Sequence, residues 1–357
     1  MKSDRTWGDV REASRCMFKQ SLFFVARSPV FAAFVSLLER FDSRRPNLLR
    51  VLTYHRIDEA GTRPHLDPAT LSATPADFTQ QMRYLVERYH VVDFPTVLAA
   101  IRGELILPPR SVLITFDDAS CDFAENSWPI LRRFELPAML FVPTAFPDSP
   151  GRAFWWDRLH AAICRTDADL EFLRKLGIRI AKGNRYETYR RVLLWIKAQP
   201  YAQACEVIDA ICRECGSAPW TSPVLGWDQL RQLARQGLAL GVHTRTHPLM
   251  NRLPVMEAVE EALGSYQDLR AQIGDTPAVL AFPGGEFSEA IVKRLRGSFE
   301  LAFTTCRGMN DLNRCDRMRL RRINVGRNTP RSLVRAQLLT QARHLNVCWP
   351  LRGTKDD

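Results

Sequence analysis

The sequence predicts an α/β protein built on a parallel sheet, with its chemistry at the C-terminal ends of the strands. Three observations carry this expectation. Short apolar runs of strand length alternate with helix-period segments from residue 49 to about residue 145, and again from residue 227 onward. That is the order a parallel sheet with crossover helices requires. The run Ser111-Val-Leu-Ile-Thr-Phe-Asp-Asp118 then ends a buried-type strand in two adjacent carboxylates, Asp117 and Asp118, and a second strand at residues 238–242 ends in His243-Thr-Arg-Thr-His247. Open α/β sheets and barrels place their sites at such strand ends.

Composition sets the outer bounds. In 357 residues, 46% are hydrophobic and 25% charged, the balance of a globular protein able to bury a sizeable core. The net charge of +11 is concentrated at the two ends. Residues 1–50 hold 10 Lys/Arg against 5 Asp/Glu, residues 290–357 hold 15 against 5, and the middle is slightly acidic. A basic surface suits anionic lipid, phosphorylated substrate or nucleic acid. No nucleic-acid recognition motif accompanies the charge, so no nucleic-acid partner is expected. The nine cysteines include one close couple, Cys212-x-x-Cys215, without a second pair at zinc-site spacing. They read as reduced cytosolic thiols, those at 205, 212 and 215 packing as small apolar residues of a helix. The first residues lack the apolar core and cleavage site of a signal peptide. Residues 21–38 are interrupted by Arg27, Ser28 and Pro29, short of the roughly 20 continuous apolar residues of a membrane span.

Along the chain, Ser28-Pro29 opens a helix that runs through Phe31, Phe34, Val35, Leu37 and Leu38 to Glu39-Arg40. Such a helix packs on the main domain, or lies in a membrane interface beside Arg5, Arg11, Arg15 and Lys19. Residues 49–57 form the first strand. Thr74-Pro75-Ala76-Asp77 is a capping-box-like start, followed by Phe78, Met82, Leu85, Val86 and Tyr89 at helical spacing. Phe94-Pro95 opens a short helix that Gly103 ends. A helix over 128–134 and a strand over 138–142 follow the Asp-Asp strand. Residues 152–222 open with Phe154-Trp155-Trp156-Asp157 and read as a helical insertion. Helices over 227–237 and 254–273 then alternate with strands over 238–242, 278–282, 301–305 and 319–325, and His344 falls in a C-terminal helix. The expected organisation is an N-terminal helical segment (1–47), a main domain (48–345) and a tail (346–357).

The spacing of His243 and His247 brings two imidazoles to one side within a helical turn, where they can share one metal ion. A carboxylate from Asp118 would complete a two-histidine, one-carboxylate set with positions left open for water and substrate. Thr115-Phe-Asp-Asp118 with His243-Thr-Arg-Thr-His247 resembles the first two motifs of the polysaccharide deacetylases, the NodB-homology or carbohydrate esterase 4 enzymes. Tyr54-His-Arg-Ile57, Trp155-Trp156-Asp157, Trp227-Asp-Gln-Leu230, Phe282-Pro-Gly-Gly285 and Arg322-Ile-Asn-Val325 extend the resemblance over about residues 48–330. It implies a distorted TIM-like (β/α) barrel, and one divalent metal, most often Zn2+, held by Asp118, His243 and His247. It also implies that Asp117 is the general base. Bound zinc lowers the pKa of water from about 15.7 to about 7, which suits hydrolysis of an acetamide, and backbone N–H groups, Gly284 among them, can stabilise the oxyanion.

Three departures matter. Ala119 stands where the family has glycine, Ala281-Phe-Pro-Gly-Gly285 lacks the usual Arg and Tyr of the third motif, and the last strand has no histidine to serve as general acid. His55, at the end of the first strand, is the candidate acid; it can equally orient Asp117 or Asp118, with Asp117 itself returning the proton. Trp155 and Trp156 can line a sugar groove or anchor the insertion to the barrel. Arg322, beside Arg321, can meet a phosphate or carboxylate of the substrate, or lie at the surface. The expected activity is metal-dependent removal of N-acetyl groups from sugars of a glycan or lipid-linked glycan precursor. The expected location is the cytoplasm, with peripheral contact to an anionic inner membrane face. The rival readings are an O-acetyl esterase or non-sugar amide hydrolase on the same fold, and a non-catalytic glycan- or membrane-binding relative. Acetate release across amide and ester substrates separates them.

Overall fold

The computed structural model describes residues 23–149, 151–216 and 221–340. The helix expected at His344, the tail 346–357 and the basic residues Arg5, Arg11, Arg15 and Lys19 lie outside the described residues. The strands are β1 (Leu48–Tyr54), β2 (Arg56–Ile57), β3 (Leu71–Ala73), β4 (His90–Val91), β5 (Ser111–Phe116), β6 (Met139–Val142), β7 (Ala239–Val242), β8 (Val279–Ala281), β9 (Leu301–Phe303), β10 (Asn310–Asp311) and β11 (Ile323–Asn324). β1, β5, β6, β7, β8 and β9 lie side by side in that order, all parallel. The run 320–325 returns to the start: Leu320 bridges Phe303, and β11 pairs in parallel with Leu52 and Thr53 of β1. Leu320 N–H donates to Ala302 O at 2.9 Å and Val325 N–H to Thr53 O at 3.0 Å. The sheet therefore curls into a distorted (β/α) barrel, as the sequence led us to expect. Residues 49–57, expected as one strand, divide at His55 into β1 and β2, and the short strands β3, β4 and β10 went unread, because two or three residues carry no periodicity.

Alternation along each strand divides the core. Val51, Leu113, Phe141, Ala281 and Phe303 point into the ring and meet the short helix over Phe94–Arg102, which plugs its lower end through Phe94, Val97 and Ile101. Leu52, Ile114, Leu140 and Leu280 point outward to the surrounding helices. Gly241 shows how full the interior is. A Cβ there would lie 2.7 Å from the Phe141 ring and 2.9 Å from the Met139 methyl, directly beneath the layer that carries His243.

Eleven described helices can be numbered in chain order: α1 (Pro29–Arg40), α2 (Pro75–Arg88), α3 (Phe94–Arg102), α4 (Trp128–Arg133), α5 (Trp155–Cys164), α6 (Arg185–Lys197), α7 (Tyr201–Glu214), α8 (Trp227–Arg235), α9 (Val255–Ile273), α10 (Glu289–Leu295) and α11 (Arg331–Gln337). Helices α5 to α7 form the insertion and have their own apolar core around Leu159, Ile163, Val192, Ile208 and Ile211. A buried polar node ties them to the barrel side. Asp157 accepts from the Asp67 N–H and the Ser222 hydroxyl, both at 2.7 Å, while the Tyr189 hydroxyl donates to Asp67 at 2.7 Å. Burial pushes the Asp157 carboxyl up to about 7.

Ser28 caps α1 as expected, accepting from the Phe31 N–H at 3.1 Å. The helix docks on the barrel by one stripe, where Val35 is buried and Glu39 pairs with Arg335 at 2.8 Å and accepts from the Tyr84 hydroxyl at 2.7 Å. Val30, Phe34 and Leu37 remain exposed. No described helix is long and apolar enough to cross a membrane.

Candidate active site

Two strand ends build the site. Inward alternation along β5 carries Asp117 to the mouth of the ring, where its N–H donates to Tyr54 O at 2.9 Å. The chain then leaves the strand through left-handed backbone at Asp118 (φ 72°) and Ala119 (φ 49°). This is why glycine suits the position after the carboxylates; alanine holds the same conformation at a cost of about 1–2 kcal/mol. Beyond β7, Thr244 (φ 64°) and His247 (φ 60°) are also left-handed. The imidazoles therefore meet through a strained loop and not the helical turn read from their spacing. Strain of this kind, about 1–3 kcal/mol per residue, persists where surrounding contacts over-determine it. Here Glu261 of α9 accepts from the N–H groups of Arg245 (2.9 Å) and Thr246 (2.8 Å), and Asp268 grips the Arg245 guanidinium at 2.8 and 2.9 Å.

The loop delivers three ligand atoms to one point. His243 Nε2 and His247 Nε2 are 3.2 Å apart, and Asp118 Oδ1 lies 3.5 Å from the first and 3.3 Å from the second. Three ligands about 2.0–2.1 Å from one tetrahedral zinc ion would sit about 3.3–3.4 Å from each other, so the spacing fits a single small divalent ion. The donor chemistry fits too. His243 Nδ1–H donates to Ala281 O at 2.7 Å, which leaves Nε2 with a bare lone pair. Among the described residues no hydrogen-bond donor is assigned to the buried Asp118 Oδ1. Burial pushes His243 down to about 4, keeping it neutral at pH 7. Burial opposes ionisation of Asp118, yet His247, His55 and His243 together hold it well below the usual carboxylate range. Lone pairs facing one another in a buried site suit a cation between them. Among the described residues His247 Nδ1 has no hydrogen-bond partner, and its ring is held instead by aromatic edges, with Trp156 at 4.8 Å and Phe154 at 5.5 Å between centroids.

Asp117 stands beside this set, its Oδ2 3.9 Å from His243 Nε2. Arg322 clamps both of its oxygens at 2.8 Å and also donates from Nε to Thr304 O at 2.9 Å. This corrects the sequence reading, which sent Arg322 to the substrate or the surface. It is 1% exposed, on the inward side of the closing strand, packed over the rings of Phe141 and Phe303. The signal was present in the sequence: in the alternation Leu320, Arg322, Asn324 against Ile323 and Val325, arginine occupies an inward position. Burial works against the Asp117 charge, but the Arg322 guanidinium and His243 hold its carboxyl below the ordinary value.

The other expected residues separate. His55 is half-buried between β1 and β2, its N–H donating to Ser72 Oγ at 2.9 Å, within electrostatic reach of both carboxylates. Trp156 is buried, stacked on Phe154 with centroids 4.5 Å apart, and so anchors the insertion against His247; it presents no open face to a sugar. Trp155 is half-buried and lines a cavity of about 860 Å3 that also borders His247. Gly284 is exposed beyond β8 at φ 61°, beside Leu249. The neighbouring Gly285 is the glycine that sterics demand, since a Cβ there would collide with Thr305.

The comparisons agree with this geometry. The family model described as polysaccharide deacetylase matches residues 106–297. Over 100 residues the chain is 27% identical to the poly-beta-1,6-N-acetyl-D-glucosamine N-deacetylase of Escherichia coli K12, an alignment covering 28% of this chain and 14% of that protein. The chain thus spans about a seventh of the length of that curated relative. Among solved structures, the Streptococcus pyogenes deacetylase PplD in complex with acetate is 18% identical with a TM-score of 0.54, covering 82% of this chain and 99% of that one. IcaB from Ammonifex degensii is 20% identical with a TM-score of 0.54, covering 83% and 98%. At these identities the structures establish the fold.

Proposed function

The chain belongs to the polysaccharide deacetylase family, and on that premise we propose that it is a metal-dependent hydrolase removing acetyl groups from N-acetylated sugars of a glycan or a lipid-linked glycan precursor. The observation that carries the reading is the convergence of Asp118, His243 and His247 within 3.2–3.5 Å, with the Asp117–Arg322 pair beside it. A divalent ion, zinc by the choice of two imidazoles and one carboxylate, would supply Lewis-acid activation of water and of the acetamide carbonyl. Asp117 serves as the base. Arg322 occupies one lone pair on each of its oxygens and leaves the others free to accept from water. In this reading the Gly284 N–H is the donor to the developing oxyanion. His55 donates the proton that the basic leaving amine needs; its nearness to both carboxylates also suits a positioning role. The test is acetate release from a panel of N-acetylated glycans and lipid-linked sugars, with and without added zinc. Turnover on the amides that disappears with a chelator and returns with zinc supports the reading. Full metal occupancy in His243→Ala refutes the ligand assignment.

The exposed Val30, Phe34 and Leu37 of α1 favour an extension of this proposal, peripheral contact with an anionic membrane on the cytoplasmic side. Vesicles rich in anionic lipid should retain the full chain, and salt should release it. Equal retention of a form lacking residues 1–45 argues against the contact.

A further inference from the structure

The cavity beside the metal-ligand set is larger than a sugar with an acetyl group requires, and one of its walls is apolar. Its roughly 860 Å3 lies toward the upper end of small-ligand pockets, which run about 300–1,000 Å3. One wall is the loop that carries His247 and Leu249, so the cavity opens directly on the ligand set. The opposite wall comes from the insertion, through Trp155 of α5, Ile196 of α6 and Ile208 of α7, with Phe146 beside them. Ser149, Gln199, Tyr201 and Thr246 give the cavity some polar lining, while the wall at Trp155, Ile196, Ile208 and Phe146 would leave the hydroxyls around a sugar ring unmatched.

Charge narrows the choice of occupant. Three arginines line the cavity: Arg152, Arg158 and Arg252. Arg158 is neutralised by Asp209 at 2.5 Å. Among the described residues neither Arg152 nor Arg252 has a carboxylate partner, and Arg252 Nε is buried without any hydrogen-bond partner. Two guanidiniums without a carboxylate partner, Arg152 exposed over the Phe146 ring and Arg252 half-buried, stand beside an apolar wall and complement an anion joined to a hydrocarbon; a neutral long-chain amide would engage neither charge.

We propose, resting on the deacetylase reading above, that this cavity binds the carrier of the substrate, a phosphate-linked lipid. The phosphate sits at Arg152 and Arg252, the hydrocarbon lies along α6 and α7, and the attached N-acetylated sugar reaches Asp118, His243 and His247. The insertion thereby acquires a function: it supplies the lipid wall that the barrel lacks.

The test uses farnesyl diphosphate as the probe, with the full chain and titration calorimetry. It should bind at least tenfold more tightly than either inorganic diphosphate or farnesol. Arg252→Gln should weaken it at least tenfold, and Arg152→Gln with Arg252→Gln should weaken it further. Cys205→Trp, which narrows the cavity from its wall, should weaken farnesyl diphosphate and leave inorganic diphosphate unchanged; a thermal melt confirms that each variant is folded. Binding no tighter than inorganic diphosphate overturns the apolar half of the proposal. Binding no tighter than farnesol, or untouched by the arginine substitutions, overturns the phosphate half. The probe carries no acetyl group, so loss of the deacetylase reading would leave this binding result intact. Acetate release from soluble N-acetylglucosamine oligomers without farnesyl diphosphate binding would remove the lipid proposal alone.

Discussion

Replacing Arg322 with Gln should damage the protein more than replacing both Arg322 and Asp117. The pair is almost wholly enclosed, with side-chain exposures of 1% and 3%, and both guanidinium nitrogens lie 2.8 Å from the carboxylate oxygens. Removing one member of such a pair leaves the other charge buried and uncompensated, a loss of about 3–5 kcal/mol. Gln also gives up the Nε donor to Thr304 O and the packing over Phe141 and Phe303. In Arg322→Gln with Asp117→Asn, neither charge remains, and a neutral amide pair of similar size fills the space. Equilibrium urea unfolding of the four proteins closes a double-mutant cycle. The coupling should be at least about 2 kcal/mol, with the double variant more stable than Arg322→Gln alone. Kinetics give an independent readout. Because Arg322 acts through Asp117, Arg322→Gln should lower kcat with little change in KM, and Arg322→Lys should restore part of it. Additive stability losses, or a variant whose defect lies in KM, would refute the assignment of Arg322 as the residue that holds the base.

The remaining predictions follow from the same geometry. Asp117→Asn should retain metal while turnover falls about 10²–10⁴-fold, whereas His243→Ala should lose metal and activity together; elemental analysis beside acetate release separates the two. His55→Gln should slow an N-acetyl substrate about 10²-fold more than its O-acetyl analogue if His55 is the acid, because an alkoxide leaves more readily than an amide nitrogen; equal loss on both would assign it to positioning. Asp157 sets a pH dependence. Its folded value of about 7 stands above the ordinary 3.8, so the folded state binds the extra proton, and stability falls as pH rises from about 4 to about 7. The upper limit is ~4 kcal/mol, at about 1.4 kcal/mol per unit. Asp157→Asn can accept from the Asp67 N–H through Oδ1 and donate from Nδ2 to Ser222 Oγ, and it should flatten that slope, raising the melting temperature at pH 8 relative to the parent; an unchanged slope would mean another group is responsible.

How much of this was legible in the chain itself follows a physical division. The alternation of strand and helix, the carboxylates at the end of β5, the histidines at the end of β7 and the insertion between β6 and β7 were all readable, because each is a local pattern. Side-chain period and strand length are written in neighbouring residues. The trio of Asp118, His243 and His247, whose side chains converge, was readable for the same reason: both histidines sit in one motif, and Asp118 ends another. What the sequence could not decide were contacts between distant segments. Arg322 and Asp117 are 205 residues apart, and only closure of the ring by the run 320–325 turns an apparently exposed arginine inward onto the base. Trp155 and Trp156 are neighbours, yet the first helical turn of α5 sends one into the wall of a cavity and the other against His247. The path from His243 to His247 was misread because HxxxH fixes a spacing and not a conformation; Glu261 and Asp268, from a helix further along the chain, hold the strained loop in place. Local chemistry chose the ligands, and long-range packing chose which charge each of them meets.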